Sequence, residues 1–207
     1  MPYDVEYTHE FEAWWDELSA RTQDNCSRVV DMLVEHGPLL PDPYCSGVRQ
    51  SRHGRMRELR TQSGGRPIRV FYAFDPRRTA LLLLGAYKTH PRRFYDDYVP
   101  RADLIYDRHL KQLLRERPTR SYEPSAMTPR PWSELTKHWS PERKAANERA
   151  KAELRADIRK LQAQARKEAK VKETLAELDR QQREQTRGGR MSRATDKAPR
   201  RSPHLTR

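Results

Sequence analysis

The chain has 207 residues, 34% of them charged, and a formal net charge of +13 at pH 7; this length allows one or two domains. Two cysteines, Cys26 and Cys45, are too few for a disulfide framework, and they fit neither a CxxC redox pair nor a zinc site. Since no signal peptide and no apolar run of membrane length is present, the sequence predicts a cytoplasmic protein without membrane contact.

Charge and hydrophobicity differ between two parts of the chain. Residues 1–117 carry 19 basic and 17 acidic residues, whereas residues 118–207 carry 23 and 12. Most of the Phe, Trp and Ile residues precede residue 118. We therefore expect one compact domain over residues 1–117, a common domain size, followed by a basic and weakly hydrophobic extension.

The N-terminal residues predict a short strand and two helices. Alternation from Tyr3 to Tyr7 indicates the strand, and Thr8 is positioned to cap the first helix. One apolar face of this helix holds Phe11, Trp14, Trp15 and Leu18. A second helix is predicted over residues 22–35, ended by Gly37 and Pro38. We expect the two helices to form a hairpin over one face of a sheet, with both tryptophans in the core rather than stacked on bases.

The middle of the chain predicts a three-stranded meander. Residues 37–47 contain three prolines and are predicted to form a loop. Strands are expected over residues 56–62, 68–74 and 79–87, joined by turns at 63–65 and 75–78. A C-terminal helix then begins at Pro91 and reaches Arg117, with a break or kink at Pro100 and a restart near Arg101.

Positive charge is concentrated on the predicted meander. Twelve Lys or Arg residues and two acids, Glu58 and Asp75, lie between Arg49 and Arg93, whereas the preceding 48 residues hold two Arg and ten acids. A field this focused suits a phosphate-rich ligand. The alternative is a basic strand face that only keeps the domain soluble.

The extension predicts a linker, a long helix and a tail. Residues 118–131 are rich in Pro, Ser and Thr, which is typical of a linker. Ser140 is a predicted N-cap before Pro141, and the helix should run to about Thr186 with Gly188-Gly189 ending it. Its thin apolar stripe favours a solvated helix or a weak coiled-coil seam. We expect the basic residues 188–207 to be disordered.

The predicted elements follow in the order strand, helical hairpin, meander and helix. Residues 51–97 read SRHGRMRELRTQSGGRPIRVFYAFDPRRTALLLLGAYKTHPRRFYDD. Over about residues 3–115 the chain resembles the HigB-like toxins, the phage-derived Gp49-like branch of the RelE/ParE superfamily. The resemblance implies an α+β fold, with a RelE-like antiparallel sheet, an N-terminal helical hairpin and a C-terminal helix. It also implies the toxin of a type II toxin–antitoxin system, an mRNA endoribonuclease that inhibits translation, often on the ribosome, and a cognate helix-turn-helix antitoxin as partner.

Two other functions remain open at this point. A ParE-like inhibitor of DNA gyrase would use the same scaffold without cleaving nucleic acid. A nucleic-acid-binding module without catalysis would rely mainly on the charge of the extension.

The extension has a resemblance of its own. From Met127, the sequence MTPRPWSELTKHWSPERKAANERAKAEL resembles the leading segment of HigA-type antitoxins, so residues 132–187 form an antitoxin-like helical extension, although no helix-turn-helix pattern follows Leu154. We predict that residues 132–155 fold back in cis onto the acidic hairpin of residues 8–36 and partly mask the toxin. The anchors are Trp132, Leu135 and Trp139. The alternative is a solvated helix that contacts nothing.

Metal-free RNA cleavage needs a base for the 2′-OH, cations for the phosphorane and an acid for the leaving 5′-oxygen. The sequence has no acidic cluster at metal spacing, so we expect neither a metal nor a cofactor. The resemblance assigns catalysis to Arg57, Arg69, His90 and Tyr95, and RNA or phosphate binding to Arg55, Arg60, Arg66, Lys88, Arg92 and Arg93. Arg57 and Arg60 point oppositely in an ideal strand, so one of them should be structural. His53 is a weaker candidate, and which residue is base and which acid stays open.

Overall fold

The computed structural model describes residues 2–89, 93–115 and 128–195, with side chains as far as residue 183. The chain divides into two compact units, Met1–Arg159 and Lys160–Arg207. Its elements are β1 (Val5–Tyr7), α1 (His9–Asp16), α2 (Ala20–His36), β2 (Cys45–Gly47), β3 (Arg57–Ser63), β4 (Arg66–Phe74), β5 (Ala80–Tyr87), α3 (Phe94–Arg115), β6 (Arg130–Pro131), α4 (Ser133–Thr136) and α5 (Pro141–Thr195).

The six strands form one sheet in the order β2-β3-β4-β5-β1-β6. β3, β4 and β5 form the antiparallel meander that the sequence predicts. Gly64 and Gly65 turn the chain between β3 and β4 with φ of 57° and 75°, a backbone region that glycine enters without steric cost. The α+β class and the meander are therefore confirmed.

The expectation of an entirely antiparallel sheet is wrong at β1. This strand pairs in parallel with β5, and Val5 lies opposite Ala80. Side-chain alternation buries Val5 and Tyr7 in the same way in either direction, so the short strand carries no information on its direction. The edge strands β2 and β6 were missed because three and two residues are too few to show a period of two.

Capping residues set the starts of three helices. The Thr8 hydroxyl accepts a hydrogen bond from the backbone N–H of Phe11 at 3.3 Å, as predicted. Ser19 caps α2, which begins at Ala20, two residues earlier than predicted. Ser140 accepts from the N–H of Arg143 at 3.2 Å, and Pro141 is the first residue of α5, so this predicted start is confirmed.

The predicted break at Pro100 and the predicted helix end at Gly188-Gly189 are both wrong. α3 passes through Pro100 without a break. Pro100 and Asp96 are both exposed, so water can hydrate the Asp96 carbonyl that proline leaves without a donor. α5 continues through Gly188-Gly189 to Thr195, because a glycine costs a helix about 1 kcal/mol relative to alanine and does not forbid it. Residues 196–207 lie outside the described residues.

Helices cover both faces of the sheet. α1 and α2 pack on one face, against Leu59, Ile68, Val70, Tyr72 and Leu82. α3 packs on the other, against Phe71, Leu81 and Leu83. Trp14 and Trp15 belong to the first core, as predicted, and Gly85 makes room for Trp14, since a Cβ there would lie 2.3 Å from the indole ring.

The start of the extension completes the first core. β6 pairs with β1, and the N–H of Trp132 donates to the Val5 carbonyl at 2.8 Å. Trp132, Leu135 and Trp139 are all buried, and the Trp132 ring stands edge-on to Trp15 with centroids 5.1 Å apart. The predicted contact between this segment and the hairpin is therefore present. The predicted linker is only partly described, since residues 116–127 lie outside the described ranges.

A regular set of polar contacts joins α5 to α2, which we term the α2–α5 ladder. Three ion pairs recur along the two helices: Arg143–Asp24 at 2.7 Å, Lys151–Asp31 at 2.8 Å and Arg155–Glu35 at 2.9 Å. Between them, Asn147 bonds Ser27 at 2.9 Å and Arg28 at 3.0 Å. The ladder neutralises the acids of the hairpin with basic residues of the extension.

Among the described residues, no helix is long and apolar enough to cross a membrane.

Candidate active site

Strand geometry sorts the basic residues of β3 and β4 onto two faces. Arg60 lies directly opposite Arg69 in the ladder between the two strands. Successive side chains alternate between faces, so Glu58, Arg60 and Arg69 face α3, whereas Arg57 faces the α1–α2 side. The sequence predicted that Arg57 and Arg60 would point oppositely, and the structure identifies Arg60 as the residue that faces α3.

Glu58 lies at the centre of this cluster, and its side chain is 1% exposed. Its Oε1 accepts hydrogen bonds from the Ser46 hydroxyl at 3.1 Å, Arg60 Nε at 3.0 Å and the Tyr95 hydroxyl at 3.1 Å. Arg69 Nε forms an ion pair with the same oxygen at 3.4 Å, without hydrogen-bond alignment. A buried carboxylate requires such partners, so Glu58 fixes the positions of two cations and a phenol.

Charge at the cluster keeps Arg60 protonated. Burial lowers the pKa of Arg60, but the hydrogen bond and the negative charge of Glu58 outweigh that effect and hold the pKa above its ordinary value. The second oxygen of Glu58, Oε2, has no hydrogen-bond partner within the described part of the chain. It could accept a hydrogen bond from a ligand.

Lys88 and Tyr95 close the cluster from the α3 side. Lys88 follows β5 directly, and its Nζ donates to the Tyr95 hydroxyl at 3.3 Å and lies 4.6 Å above the ring. Tyr95, in the first turn of α3, stands edge-on to Phe71 with centroids 6.4 Å apart. The phenol thus lies between an ammonium group and a carboxylate, an arrangement that can hold or pass a proton.

Comparisons with known proteins identify the family of the chain. Residues 13–107 match the family model described as Phage derived protein Gp49-like (DUF891). The chain is 36% identical over 110 residues to the candidate toxin HigB2 of Mycobacterium tuberculosis, a match covering 52% of the chain and 55% of HigB2. It is 38% identical over 93 residues to the candidate toxin HigB3 of the same organism, covering 44% of the chain and 80% of HigB3. The chain belongs to the Gp49-like family of HigB toxins. It spans about half the length of HigB2.

The Glu58 cluster lies within the Gp49-like part of the chain, since residues 13–107 include β3, β4, β5 and the first turns of α3. Four predicted site residues meet in it: Arg60, Arg69, Lys88 and Tyr95. Sequence reasoning missed Glu58 as a functional residue. The sequence did contain a signal. Glu58 lies between arginines in a predicted strand, and the basic stretch from Arg49 to Arg93 holds only one other acid.

Three further predicted residues of this Gp49-like chain, Arg57, Arg66 and Arg55, lie apart from the cluster. Arg57 donates to Cys45 Sγ at 3.0 Å and to the Pro38 carbonyl at 3.2 Å. It lies on the face opposite Glu58, and its catalytic role stays a prediction. Arg66 lies over the Tyr87 ring at 4.3 Å, also on that face. Arg55 lines a different cleft, beside Asp75 and Arg78.

Three predicted residues and one weaker candidate remain. His90 and Arg92 lie outside the described residues, so their predicted roles stay predictions. Arg93 is exposed in the turn before α3. The His53 ring bonds Asp107 at 2.7 Å and lies edge-on to Tyr106, so it contacts the middle of α3. Within the described residues, no group of three His, Cys, Asp or Glu side chains could hold a metal ion.

Proposed function

We propose that this chain is the toxin of a type II toxin–antitoxin system and that it cleaves mRNA without a metal ion, which stops translation. The observation that carries the proposal is the grouping of Arg60, Arg69, Lys88 and Tyr95 around the buried Glu58 on one face of the sheet. Membership of the HigB toxins supports it. The proposed partners are mRNA on the ribosome and a helix-turn-helix antitoxin, in the cytoplasm.

The residues suggest a division of roles in the reaction. His90, a predicted catalytic residue two positions after Lys88, would take the proton of the attacking 2′-OH as the general base. Guanidinium groups bind phosphate oxygens through paired hydrogen bonds, so Arg60 and Arg69 would neutralise the phosphorane that this attack forms. The Tyr95 phenol, bonded to Lys88, would donate a proton to the leaving 5′-oxygen. Glu58 is a positioning residue that holds Arg60, Arg69 and Tyr95 in one geometry.

The test is cleavage of a defined single-stranded RNA by purified protein, joined to primer extension on cellular mRNA after induction. Arg69→Ala is expected to lower the cleavage rate about 100-fold or more, the usual loss when one group that stabilises developing charge is removed. Arg101→Ala is the matched control, because Arg101 is exposed on α3 and lies over the Tyr98 ring at 5.4 Å. Control and wild type should cleave alike.

Two outcomes would contradict the proposal. Equal loss in Arg69→Ala and Arg101→Ala would show that surface charge alone governs activity. Inhibition of DNA gyrase by a protein that cleaves no RNA, on or off the ribosome, would favour the ParE-like alternative.

A further inference from the structure

A second basic surface adjoins the Glu58 cluster. A cleft of about 830 Å³ opens between α2, the β3–β4 hairpin and the loop before β2. Four arginines line it: Arg21, Arg28, Arg60 and Arg69. No acid is found among its described lining residues. We term it the arginine cleft.

The arginine cleft and the Glu58 cluster share two residues. Arg60 and Arg69 hold Glu58 and also line the cleft, so a chain of phosphates crossing the cluster would continue into the cleft. Resting on the proposed function, we propose that the arginine cleft binds the single-stranded RNA next to the cleaved phosphate, with Arg21 as its outer phosphate contact.

Charge in the cleft is only partly compensated, because Arg60 and Arg69 share the single buried carboxylate of Glu58. The partners of Arg28 are the side-chain oxygens of Asn25 and Asn147, both at 3.0 Å, and these amides leave its charge intact. Arg60 pairs with Asp42 at 3.0 Å, but the Asp42 side chain is 72% exposed, and an exposed pair contributes little. A phosphate can therefore replace Asp42 at small cost and bind the two terminal nitrogens of the guanidinium, while Nε stays bonded to Glu58.

Size and polar lining also suit a nucleotide chain. Clefts of 300–1,000 Å³ are the usual size for a ligand larger than one phosphate. Gln62 offers an amide group at the edge of β3, and the half-buried Tyr44 offers an aromatic ring. Stacking of a base on such a ring is worth about 1–3 kcal/mol and tolerates any sequence.

The extension shapes this cleft. Leu154 of α5 is one of its lining residues, and Asn147 holds the guanidinium of Arg28. Thus the antitoxin-like segment builds part of the proposed RNA site.

The test is binding of a fluorescent eight-nucleotide RNA with 2′-O-methyl groups, which cannot be cleaved, followed by anisotropy over a range of salt. Arg21→Ala should weaken binding about fivefold to tenfold. It should also reduce the slope of log K against log salt concentration by about 0.7, the value for one phosphate contact on a single strand. Arg149→Ala is the matched control, since Arg149 is exposed on α5 away from the face that holds Asn147. Circular dichroism verifies that each variant folds.

Further measurements separate this inference from the proposed function. Asn147→Ala should weaken RNA binding less than Arg21→Ala does, because it frees Arg28 without removing its charge. If the wild type cleaves no RNA but Arg21→Ala still weakens binding selectively, the cleft stands and the ribonuclease proposal fails. If Arg69→Ala abolishes cleavage while Arg21→Ala leaves affinity, salt dependence and KM at wild-type values, the cleft is refuted and the ribonuclease proposal stands.

Discussion

Replacing Trp132 with alanine should show whether the extension is an integral part of the folded domain. Trp132 is 5% exposed, lies 5.1 Å from the Trp15 ring centroid and 6.4 Å from that of Phe11, and donates its indole N–H to Asp31 at 2.8 Å. Truncating a buried tryptophan to alanine costs about 3–5 kcal/mol. Since a folded domain is stable by about 5–15 kcal/mol in total, this loss is a large fraction.

The assay is urea unfolding followed by circular dichroism at the helix band. With a urea slope of about 2 kcal/mol per molar, Trp132→Ala should lower the unfolding midpoint by about 2 M. Trp132→Phe keeps an aromatic ring but removes the bond to Asp31, and should cost about 1–2 kcal/mol. Amide exchange over residues 8–36 should become faster in Trp132→Ala.

Leu175→Ala is the matched control, because this leucine of α5 is 58% exposed and surface substitutions usually change stability by less than about 0.5 kcal/mol. If Trp132→Ala and Leu175→Ala have the same midpoint as the wild type, the extension does not dock on the hairpin in solution. The packing argument would then be wrong.

Three further predictions follow from particular contacts. Arg57→Ala should keep wild-type cleavage of the defined RNA, because Arg57 faces away from Glu58; a loss as large as that of Arg69→Ala would contradict the placement. Cleavage should persist in EDTA and leave 2′,3′-cyclic phosphate and 5′-hydroxyl ends, as product analysis by mass spectrometry can verify; loss on chelation with recovery in Mg²⁺ would overturn the metal-free route. Burial raises the pKa of the Cys26 thiol from 9.0 to about 12, so the folded state favours the neutral thiol. Its contribution to stability is complete below pH 9 and is lost between pH 9 and pH 12, and thiol reagents at pH 8 should label Cys26 only after unfolding; rapid labelling of folded protein would refute its burial.

Much of the fold could be predicted because its signals are local. The four leucines of β5, the glycine turn and the spacing of Phe11, Trp15 and Leu18 each indicate one element without reference to the rest of the chain. The direction of β1 and the existence of β6 could not be predicted, since both depend on pairing between residues far apart in the sequence. Pro100 was misjudged because its effect depends on which side of α3 faces water.

The candidate site was predictable in part for the same reason. The alternation of side chains along a strand shows that Arg57 and Arg60 point to opposite faces. Only the packing of the sheet against α3 shows that Arg60 is the one beside Arg69. The role of Glu58 depends on Ser46, 12 residues before it, and Tyr95, 37 residues after it. A domain ending at residue 117 stays a prediction, although the compact unit reaches Arg159 and a chain cut at 117 would expose Trp15.

The α2–α5 ladder permits one alignment of the two helices. Sliding α5 by one turn in one direction would bring Arg143 beside Arg28, and sliding it the other way would bring Lys151 beside Arg28. Either slip sets two positive charges against each other at a partly buried position and breaks ion pairs that the native alignment makes. Arg28, a single cation between the acids of α2, thus fixes the register of the two helices. Charge reversal at this position, Arg28→Glu, would remove this constraint and allow α5 to pack on α2 one turn out of register.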